Sequence, residues 1–249
     1  MQLRSSNVSV PVSTPPGTAE AGFAVGPAMG ASPSGSDAVV DLWVIGLDLH
    51  ARALEAAGRV LSADERQRAG RFRHPSDATR FVAGRGALRM ILGEHLALDP
   101  ARLSLVYDAQ GKPELADSHV RTGLRFNLSH SEGLALLGVT WGRRIGVDVE
   151  RVRLPDDWAA IAARMFTARE TRALRELSDA ERPEAFFTSW TQLEARSKAT
   201  SEPLDRAAAL TCEGWTLQTL QPEPGYLATV AVEGPIDRLR TRTWSSWPA

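Results

Sequence analysis

Two carboxylates lie two residues apart in the apolar run 145–150, IGVDVE. This run predicts a β-strand, in which side chains at positions i and i+2 share one face. Asp148 and Glu150 therefore project together, and two like charges on one face repel each other unless a cation lies between them. A hard cation such as Mg²⁺, which proteins hold with few carboxylates and with phosphate oxygens, would supply that charge. Taken alone, such a pair is more often part of a solvated strand face.

A third carboxylate and a lysine lie one turn apart in a predicted helix over residues 184–200. Glu194 and Lys198, at positions i and i+4, share one face of this helix. By itself the pair is typical of a surface ion pair of small energetic value. If the helix packs beside the strand that carries the two carboxylates, however, Glu194 completes a hard-cation site and Lys198 neutralises phosphate charge.

The sequence RFNLSHS, residues 125–131, precedes an apolar run over residues 133–141. Both segments are typical of β-strands, and the polar residues Ser129, His130 and Ser131 predict the turn between them. A histidine in such a turn is more often structural than a ligand.

Arginines concentrate on two predicted helices in the first half of the chain. A capping box of Ser62 and Glu65 begins the first helix. An amphipathic pattern, with Phe81 on its apolar face, predicts the second helix from Ser76 to its end at Asp99-Pro100. Their arginines are Arg66, Arg68, Arg71, Arg73, Arg80, Arg85 and Arg89, and Asp77 is the only acidic residue between the first and the last of them. Because the planar guanidinium suits phosphate, the cluster indicates an anion site, although a solvated helix face explains any single arginine equally well.

A further cation, Lys112, lies between Gly111 and Pro113 after a predicted strand over residues 103–107. Glycine and proline restrict the shape of this loop. Lys112 could therefore act as a fixed point charge toward an anion, although an exposed loop lysine is the commoner outcome.

The composition of the chain limits the classes of function. The protein has 249 residues, a formal net charge of −1 and one cysteine, Cys212. The charge argues against a whole-surface binder of nucleic acid, and one cysteine excludes an intramolecular disulfide and a Cys-x-x-Cys zinc site. We expect Cys212 to be a small buried side chain. No run reaches the length of a membrane span and no signal peptide is visible, so we expect a cytoplasmic protein without membrane contact.

We expect an α+β fold of two similar halves. Residues 1–38, rich in Ser, Pro, Gly and Ala, predict a disordered tail, and a buried strand over residues 39–49 begins the first half. The halves are residues 39–143 and 144–249. A weak repeat at a constant offset of 105 residues supports them: Ser62, Glu65, Phe81 and Leu88 recur as Thr167, Glu170, Phe186 and Leu193. Thr167 and Glu170 thus form a second capping box, which predicts the start of another helix. If a pseudo-two-fold axis relates the halves, the long helix of each faces the interface, where a cleft is the expected ligand site.

These features together resemble the Sfp-type 4′-phosphopantetheinyl transferases, across roughly residues 40 to 215. The resemblance is carried by the arginines from Arg68 to Arg89, by Gly111-Lys112-Pro113, and by residues 126–131 (FNLSHS), 146–150 (GVDVE) and 190–198 (WTQLEARSK). Each motif alone is weak, but their order and spacing are specific. The resemblance implies two similar α+β halves, related by a pseudo-two-fold axis, with coenzyme A bound between them.

The resemblance also implies which residues form the site. Asp148, Glu150 and Glu194 would hold Mg²⁺ together with the pyrophosphate of coenzyme A. Contacts to the phosphates would come from Lys112, Ser129, His130, Lys198, Arg68, Arg80, Arg85 and Arg89. His130 would bind the 3′-phosphate, which favours the protonated imidazole.

The reaction implied by the resemblance is phosphoryl transfer. A serine hydroxyl of an apo carrier protein attacks the phosphorus on the pantetheine side, and adenosine 3′,5′-bisphosphate leaves. Mg²⁺ and Lys198 would stabilise the developing charge, and Glu194, directly or through a water, is the candidate base. The carrier, whether acyl, peptidyl or aryl, would be a separate partner, and we expect the transferase itself to be a monomer.

Two departures from the family pattern fall beside the catalytic helix. The family usually has Lys-Glu where this chain has Leu193-Glu194, and the glycines of the usual Gly-x-Gly-Leu are replaced by Ser201 and Pro203. A relative that binds coenzyme A or a carrier protein without catalysis therefore stays an alternative. A different Mg²⁺-dependent phosphate enzyme, such as a nucleotide pyrophosphatase, is a third.

Overall fold

The computed structural model of the protein describes residues 38–108, 111–209 and 213–247. Cys212 and all of the predicted tail except Ala38 lie outside these residues. In chain order the described elements are β1 (Val39–Gly46), α1 (Ala51–Arg59), α2 (Ala63–Ala69), α3 (Pro75–Leu96), a 3₁₀ turn (Pro100–Arg102), β2 (Leu105–Tyr107), β3 (Pro113–Leu115), α4 (Asp117–Val120), β4 (Leu124–Ser131), β5 (Leu134–Trp141), β6 (Ile145–Arg151), α5 (Trp158–Met165), α6 (Ala168–Glu176), α7 (Arg182–Thr200), α8 (Leu204–Ala209), β7 (Trp215–Leu220), β8 (Tyr226–Glu233) and β9 (Arg238–Trp244). None of these helices combines the length and the hydropathy of a membrane span.

Two sheets lie back to back, and a long helix covers the outer face of each. The first sheet has the strand order β4-β5-β1-β9, and the second has the order β6-β8-β7. Strand β1 is buried on both faces, with Leu42 in the layer between the sheets and Ile45 in the layer under α3. On the far side of the second sheet, Ala195 and Ala199 of α7 pack against Ala231 of β8. This layering confirms the α+β architecture of two similar halves.

The sheets, rather than the long helices, form most of the interface between the halves, so the predicted packing of the two helices there is wrong. The central strands are apolar on both faces, and each sheet must therefore bury one face against a helix and the other against the second sheet. Strand β9 also crosses back to pair in parallel with β1, from Val39 opposite Arg238 to Ile45 opposite Trp244. The division of the chain at residues 143 and 144 stays a prediction.

Both predicted capping boxes are present. The Ser62 hydroxyl accepts from the backbone N–H of Glu65, whose carboxylate accepts from the backbone N–H of Ser62 at 3.0 Å. Thr167 and Glu170 form the same reciprocal pair, with the N–H of Thr167 donating at 2.8 Å. Helices α2 and α6 therefore begin where the sequence predicts.

The sequence pattern did not predict helix α1, because small residues form the buried face of this helix. Ala53, Ala56 and Ala57 are its buried positions, and alanine gives no apolar periodicity of the kind that longer side chains produce. A Cβ atom at Gly86 of α3 would lie 2.6 Å from the Ala57 Cβ atom. The two helices therefore pack through an alanine and a glycine at close range.

The Ser-His-Ser segment belongs to a strand, so the predicted turn at these residues is wrong. His130 pairs with Ala135 and Ser131 with Leu134 in the ladder of β4 and β5. The chain reverses at the two residues between the strands, where Glu132 takes a positive φ of 49°. Polar residues predicted a turn here, but in this strand they contact β6 and the cavity described below.

A buried histidine predicts that the protein loses stability in mild acid. Burial lowers the pKa of His95 below its usual 6.5. The neighbouring charge of Asp41 raises this pKa and that of Arg242 lowers it, so the two charges oppose each other. Below about pH 6.5 the unfolded chain therefore binds more protons at this site than the folded chain, and stability falls as the pH falls toward the lowered pKa. We expect the melting temperature of His95→Gln to fall less between pH 7.5 and 5.5 than that of the wild type. Parallel slopes for the two proteins in thermal melts would contradict this prediction.

Candidate active site

A cavity of about 980 Å³ opens along the free edge of β4, at the seam between the two halves. Its walls come from the first turns of α3, the loop around Lys112, strand β6, the last turns of α7 and the residues that follow α7. Among the predicted site residues, the cavity is lined by Arg68, Arg80, Arg85, Lys112, Ser129, His130, Asp148, Glu150, Glu194 and Lys198. The structure thus brings together residues from distant parts of the chain.

A glycine allows α7 to lie close to β6. A Cβ atom at Gly146 would overlap the backbone of Ala195 and Ala199, so a larger residue would push the helix away from the strand. On the neighbouring strand β8, the hydroxyl of Thr229 is hydrogen-bonded to that of Thr191 in α7 at 2.9 Å. The helix therefore packs beside the strand that carries the two carboxylates, as the metal hypothesis requires.

Lys198 is the centre of the polar contacts in the cavity. Its Nζ atom lies 2.6 Å from Asp148 Oδ1, 3.0 Å from Ser129 Oγ and 3.7 Å from Glu194 Oε2. The Ser129 hydroxyl donates in turn to Asp148 Oδ1 at 2.9 Å. The side chains of Asp148 and Lys198 are only 2% and 28% exposed, so this ion pair is shielded from water, unlike the surface pair that the helical spacing alone suggests.

The three candidate carboxylates fit a hard cation in their chemistry but do not form a closed ligand set. Among the described residues, no group of three or more His, Cys, Asp or Glu side chains is arranged to hold a metal ion. Asp148 Oδ2 is nevertheless buried without a hydrogen-bond partner. Burial raises the pKa of Glu150 and of Glu194, and the charge of Asp148 raises both further. The Lys198 ammonium therefore compensates this negative charge only in part, and oxygen donors remain for an added cation.

Both lysines of the chain, Lys112 and Lys198, line the cavity. Lys112 Nζ donates to the backbone carbonyl of Lys198 at 2.8 Å. The backbone N–H of Lys112 donates to Asp108 Oδ1 at 2.8 Å, which fixes the loop. Burial lowers the pKa of Lys112. The structure thus places the predicted loop charge against the last turn of α7.

Arg85 offers a buried donor to the cavity. Arg85 is 7% exposed, and the Nη1 atom of its guanidinium has no hydrogen-bond partner. The guanidinium lies over the rings of Phe81 and Tyr107, 5.5 Å and 5.4 Å from their centroids. Arg68 lies over the same two rings, at 5.6 Å and 5.8 Å. Two guanidinium groups therefore share an aromatic support at one end of the cavity.

Arg80 lines the cavity but already has an acidic partner. Its Nε atom donates to Asp48 Oδ1 at 2.7 Å, and its Nη2 atom donates to Asp48 Oδ2 at 3.2 Å. A phosphate contact would require Arg80 to exchange or share this partner, so its phosphate role stays a prediction.

Arg89 does not face the cavity, and the prediction that it contacts a phosphate is wrong. The side chain is 2% exposed and binds Glu65 Oε2 at 2.6 Å. It also donates to the carbonyl oxygens of Pro100 and Leu103, at 3.0 Å and 2.8 Å. A buried guanidinium needs such a set of partners, and Arg89 thereby holds α2 and the 3₁₀ turn against α3.

His130 lines the cavity in an environment that favours the neutral imidazole. Burial lowers its pKa, and the neighbouring cations Lys198 and Arg85 lower it further. The protonated form expected for a phosphate contact is therefore disfavoured in the protein alone. The same two cations attract an anion, and a phosphate bound here would raise the pKa of His130 again.

The two departures from the family pattern have structural explanations. Leu193 is 4% exposed and is not among the described residues that line the cavity, so no charge is missing from the cavity wall at this position. Ser201 ends α7 in the left-handed conformation, with φ of 58°. A glycine would adopt this conformation with less strain, but the turn forms without one.

Replacing Leu193 with lysine is expected to destabilise the protein rather than improve a site. The lysine would place an unpaired charge at a buried position, and we expect a loss of about 3 kcal/mol in the free energy of unfolding. Urea denaturation of Leu193→Lys and of the volume-conserving Leu193→Met would measure it, with a loss of less than about 1.5 kcal/mol in the second variant. Unchanged stability together with raised activity in Leu193→Lys would contradict this prediction.

Sequence reasoning missed an aromatic pair in the cavity wall. The Phe72 and Phe81 rings lie 5.3 Å apart, both residues line the cavity, and Phe72 is exposed. The pattern placed Phe81 on the apolar face of its helix and gave Phe72 no role. The feature of the sequence that could have indicated this pair is Phe72, which lies between Arg71 and Arg73. A large aromatic side chain is uncommon in a solvated segment.

The chain is similar to known proteins over most of its length. Residues 144–243 match the family model described as the 4′-phosphopantetheinyl transferase superfamily, and residues 50–140 match the model described as 4′-phosphopantetheinyl transferase, N-terminal. The 4′-phosphopantetheinyl transferase HetI of Nostoc sp. is 40% identical over 208 residues, which cover 78% of this chain and 88% of HetI. The 4′-phosphopantetheinyl transferase ffp of Bacillus subtilis is 28% identical over 70% of this chain and 78% of its own. The 4′-phosphopantetheinyl transferase psf-1 of Bacillus pumilus is 34% identical over 61% and 62%.

The two family models together contain both long helices and most strands of both sheets, and one relative matches over most of its length at substantial identity. The matched segments contain the residues that line the cavity on α3, β4, β6 and α7. The chain therefore belongs to the 4′-phosphopantetheinyl transferase superfamily.

Proposed function

We propose that the protein transfers the 4′-phosphopantetheine group from coenzyme A to a serine of an apo carrier protein, in a reaction that depends on Mg²⁺. The observation that carries this proposal is the meeting of Lys112, Lys198 and three carboxylates in one cavity of a chain of this family. A volume of about 980 Å³ is at the upper end of the range for small-molecule sites and suits a long, charged ligand.

The cations around the cavity suit the phosphates of coenzyme A. Arg85 has a free buried donor, and Lys112 and Lys198 are joined through a backbone carbonyl. Because buried cations are costly without a partner, the charge of an anion bound here would offset the desolvation that lowers the pKa values of Arg85 and Lys112. We assign Ser129, His130, Arg68 and Arg80 to the same contacts, as the resemblance implies.

Mg²⁺ would be held by Asp148, Glu150 and Glu194, whose oxygens include the unpartnered Oδ2 atom of Asp148. When bound, it would supply positive charge to the pyrophosphate and to the leaving group. Asp148 is held for this role by contacts within the protein, since Ser129 and Lys198 bind its Oδ1 atom.

The transfer itself needs a proton acceptor and a cation. The carrier serine attacks the phosphorus on the pantetheine side, the bond from that phosphorus to the bridging oxygen breaks, and adenosine 3′,5′-bisphosphate leaves. Glu194 would accept the serine proton, directly or through a water. Lys198 would donate hydrogen bonds to the phosphoryl oxygens as their charge develops.

Intact-protein mass spectrometry tests this proposal. Apo acyl, peptidyl and aryl carrier proteins are incubated with the full chain, coenzyme A and Mg²⁺, and each carrier is paired with a variant that lacks its acceptor serine. We expect a mass gain equal to phosphopantetheine on at least one carrier, lost with EDTA and absent from the serine variants. No gain on any carrier despite coenzyme A binding would instead indicate a non-catalytic relative. Release of adenosine 3′,5′-bisphosphate without a carrier would indicate a pyrophosphatase.

A histidine variant tests the assignment of His130 to the 3′-phosphate. His130→Gln keeps a polar side chain but cannot become charged, so it loses the charge-assisted contact that only the 3′-phosphate offers. We expect its affinity for coenzyme A to fall about tenfold in calorimetric titrations. Its affinity for dephospho-coenzyme A should fall less than twofold. An equal loss for both ligands would place His130 elsewhere on coenzyme A.

The cytoplasmic location and the monomeric state expected from the sequence stay predictions, as does the identity of the carrier. Size-exclusion chromatography with light scattering, with and without a carrier that is modified, would measure the oligomeric state.

A further inference from the structure

Strand β6 is an edge strand of the second sheet, and side chains of β4 satisfy the groups along its free edge. Asn127 Oδ1 accepts from the backbone N–H of Val147 at 2.7 Å. Four residues further along β4, Ser131 Oγ accepts from the backbone N–H of Arg151 at 3.1 Å. Edge N–H groups left without partners cost stability, so these two side chains hold the edge of β6 against β4.

Ser131 also contacts a candidate ligand of the cation. Its hydroxyl donates to Glu150 Oε2 at 2.7 Å. A serine hydroxyl has one hydrogen to donate and lone pairs to accept. Since the Arg151 N–H binds a lone pair of Ser131, the hydrogen of Ser131 is directed at Glu150. The backbone of β6 and the carboxylate at its end are thus fixed by one side chain.

The contact of Ser131 with β6 explains why polar residues occupy every second position in this part of β4. Asn127, Ser129 and Ser131 share one face of the strand, and each contacts β6, whereas Phe126 of the other face packs in the core under α3. Ser129 contacts a carboxylate that Lys198 also binds. Ser131 instead donates a hydrogen bond to the carboxylate of Glu150.

We propose that Ser131 is a positioning residue that holds Glu150 in the orientation needed to bind the divalent cation. Binding Oε2 to Ser131 leaves Oε1 for the cation and restricts rotation of the carboxylate. Groups that orient a metal ligand in this way typically change metal affinity by about 10- to 100-fold when removed. The inference rests on the proposed function only in taking Glu150 as a cation ligand.

A double-mutant cycle on the full chain tests this role, with Mn²⁺ as the probe and electron paramagnetic resonance of free Mn²⁺ as the readout, in the presence of coenzyme A. We expect Ser131→Ala to weaken Mn²⁺ binding about tenfold. In a Glu150→Gln background the same substitution should change it less than twofold, because the carboxylate through which Ser131 acts is gone. Ser131→Thr, which keeps the hydroxyl, should bind Mn²⁺ within threefold of the wild type.

Two results would overturn the inference. Equal affinity in Ser131→Ala and wild type would show that Glu150 needs no orientation, and an equal loss in both backgrounds would show a general structural effect. If Ser131→Ala does not fold, the near-isosteric Ser131→Cys, with its weak S–H donor, replaces it in the cycle. Carrier modification by the wild type is measured separately. Coupling between Ser131 and Glu150 in Mn²⁺ binding, without modification of a carrier, would support the inference while the proposed function fails. Modification of a carrier without this coupling would support the proposed function while the inference fails.

Discussion

Replacing Lys198 with methionine is expected to lower kcat for phosphopantetheinyl transfer by about 10³-fold. Methionine keeps the apolar stem but removes the ammonium that lies 2.6 Å from Asp148 Oδ1 and 3.7 Å from Glu194 Oε2. Such a charge in a shielded cavity stabilises the transition state more than the bound substrate, so kcat should fall further than KM rises. Steady-state kinetics with a carrier that the wild type modifies would measure both constants.

A surface variant provides the control for Lys198. Arg59 forms an exposed pair with Glu55, and Arg59→Met removes one positive charge at a position that is not among the residues that line the cavity. Its kcat and KM should match the wild type. If Lys198→Met instead kept more than a tenth of the wild-type kcat, the catalytic role of Lys198 would be untenable.

Replacing Asp148 with alanine is expected to abolish measurable transfer, a loss of at least about 10³-fold in kcat/KM. Asp148 binds both Lys198 and Ser129 and shares a strand face with Glu150. Its removal therefore takes away a candidate cation ligand and leaves the Lys198 ammonium without its nearest partner. Transfer rates and Mn²⁺ affinity should fall together.

The isosteric Asp148→Asn removes the negative charge of this side chain but keeps its shape. It retains an oxygen that can accept from Lys198, so it should fold more stably than Asp148→Ala yet remain at least about 10²-fold impaired. Asp179→Asn, at a position with an exposed carboxylate, should be fully active. Undiminished turnover in either Asp148 variant would remove the argument for a cation site.

The sequence predicted those parts of the fold that depend on local chemistry. Capping boxes at Ser62 and Thr167 work through neighbouring residues, and the apolar strands follow a local pattern. The turn at His130 was wrongly predicted because a strand whose polar face contacts another strand has the composition of a turn. The helix interface was wrong because the burial of both sheet faces is a property of the whole fold.

The site was predictable in residue types but not in partners. Nothing local distinguishes Arg85, which retains an unpaired donor, from Arg89, whose donors bind Glu65 and two carbonyl oxygens. The contact of Ser131 with Glu150 depends on the register between strands of different sheets, which no single segment encodes. The contact of Lys112 with the last turn of α7 likewise joins residues 86 positions apart.

The most direct test of the account is whether coenzyme A occupies this cavity, and the composition of the chain makes the test simple. Lys112 and Lys198 are the only lysines, so an amine-reactive acetylating reagent can modify these two side chains and the amino terminus. The extent of modification at each is then measured by peptide mass spectrometry with and without saturating coenzyme A. We predict strong protection of both lysines and none of the amino terminus. Equal modification of both lysines with and without bound coenzyme A would contradict the account.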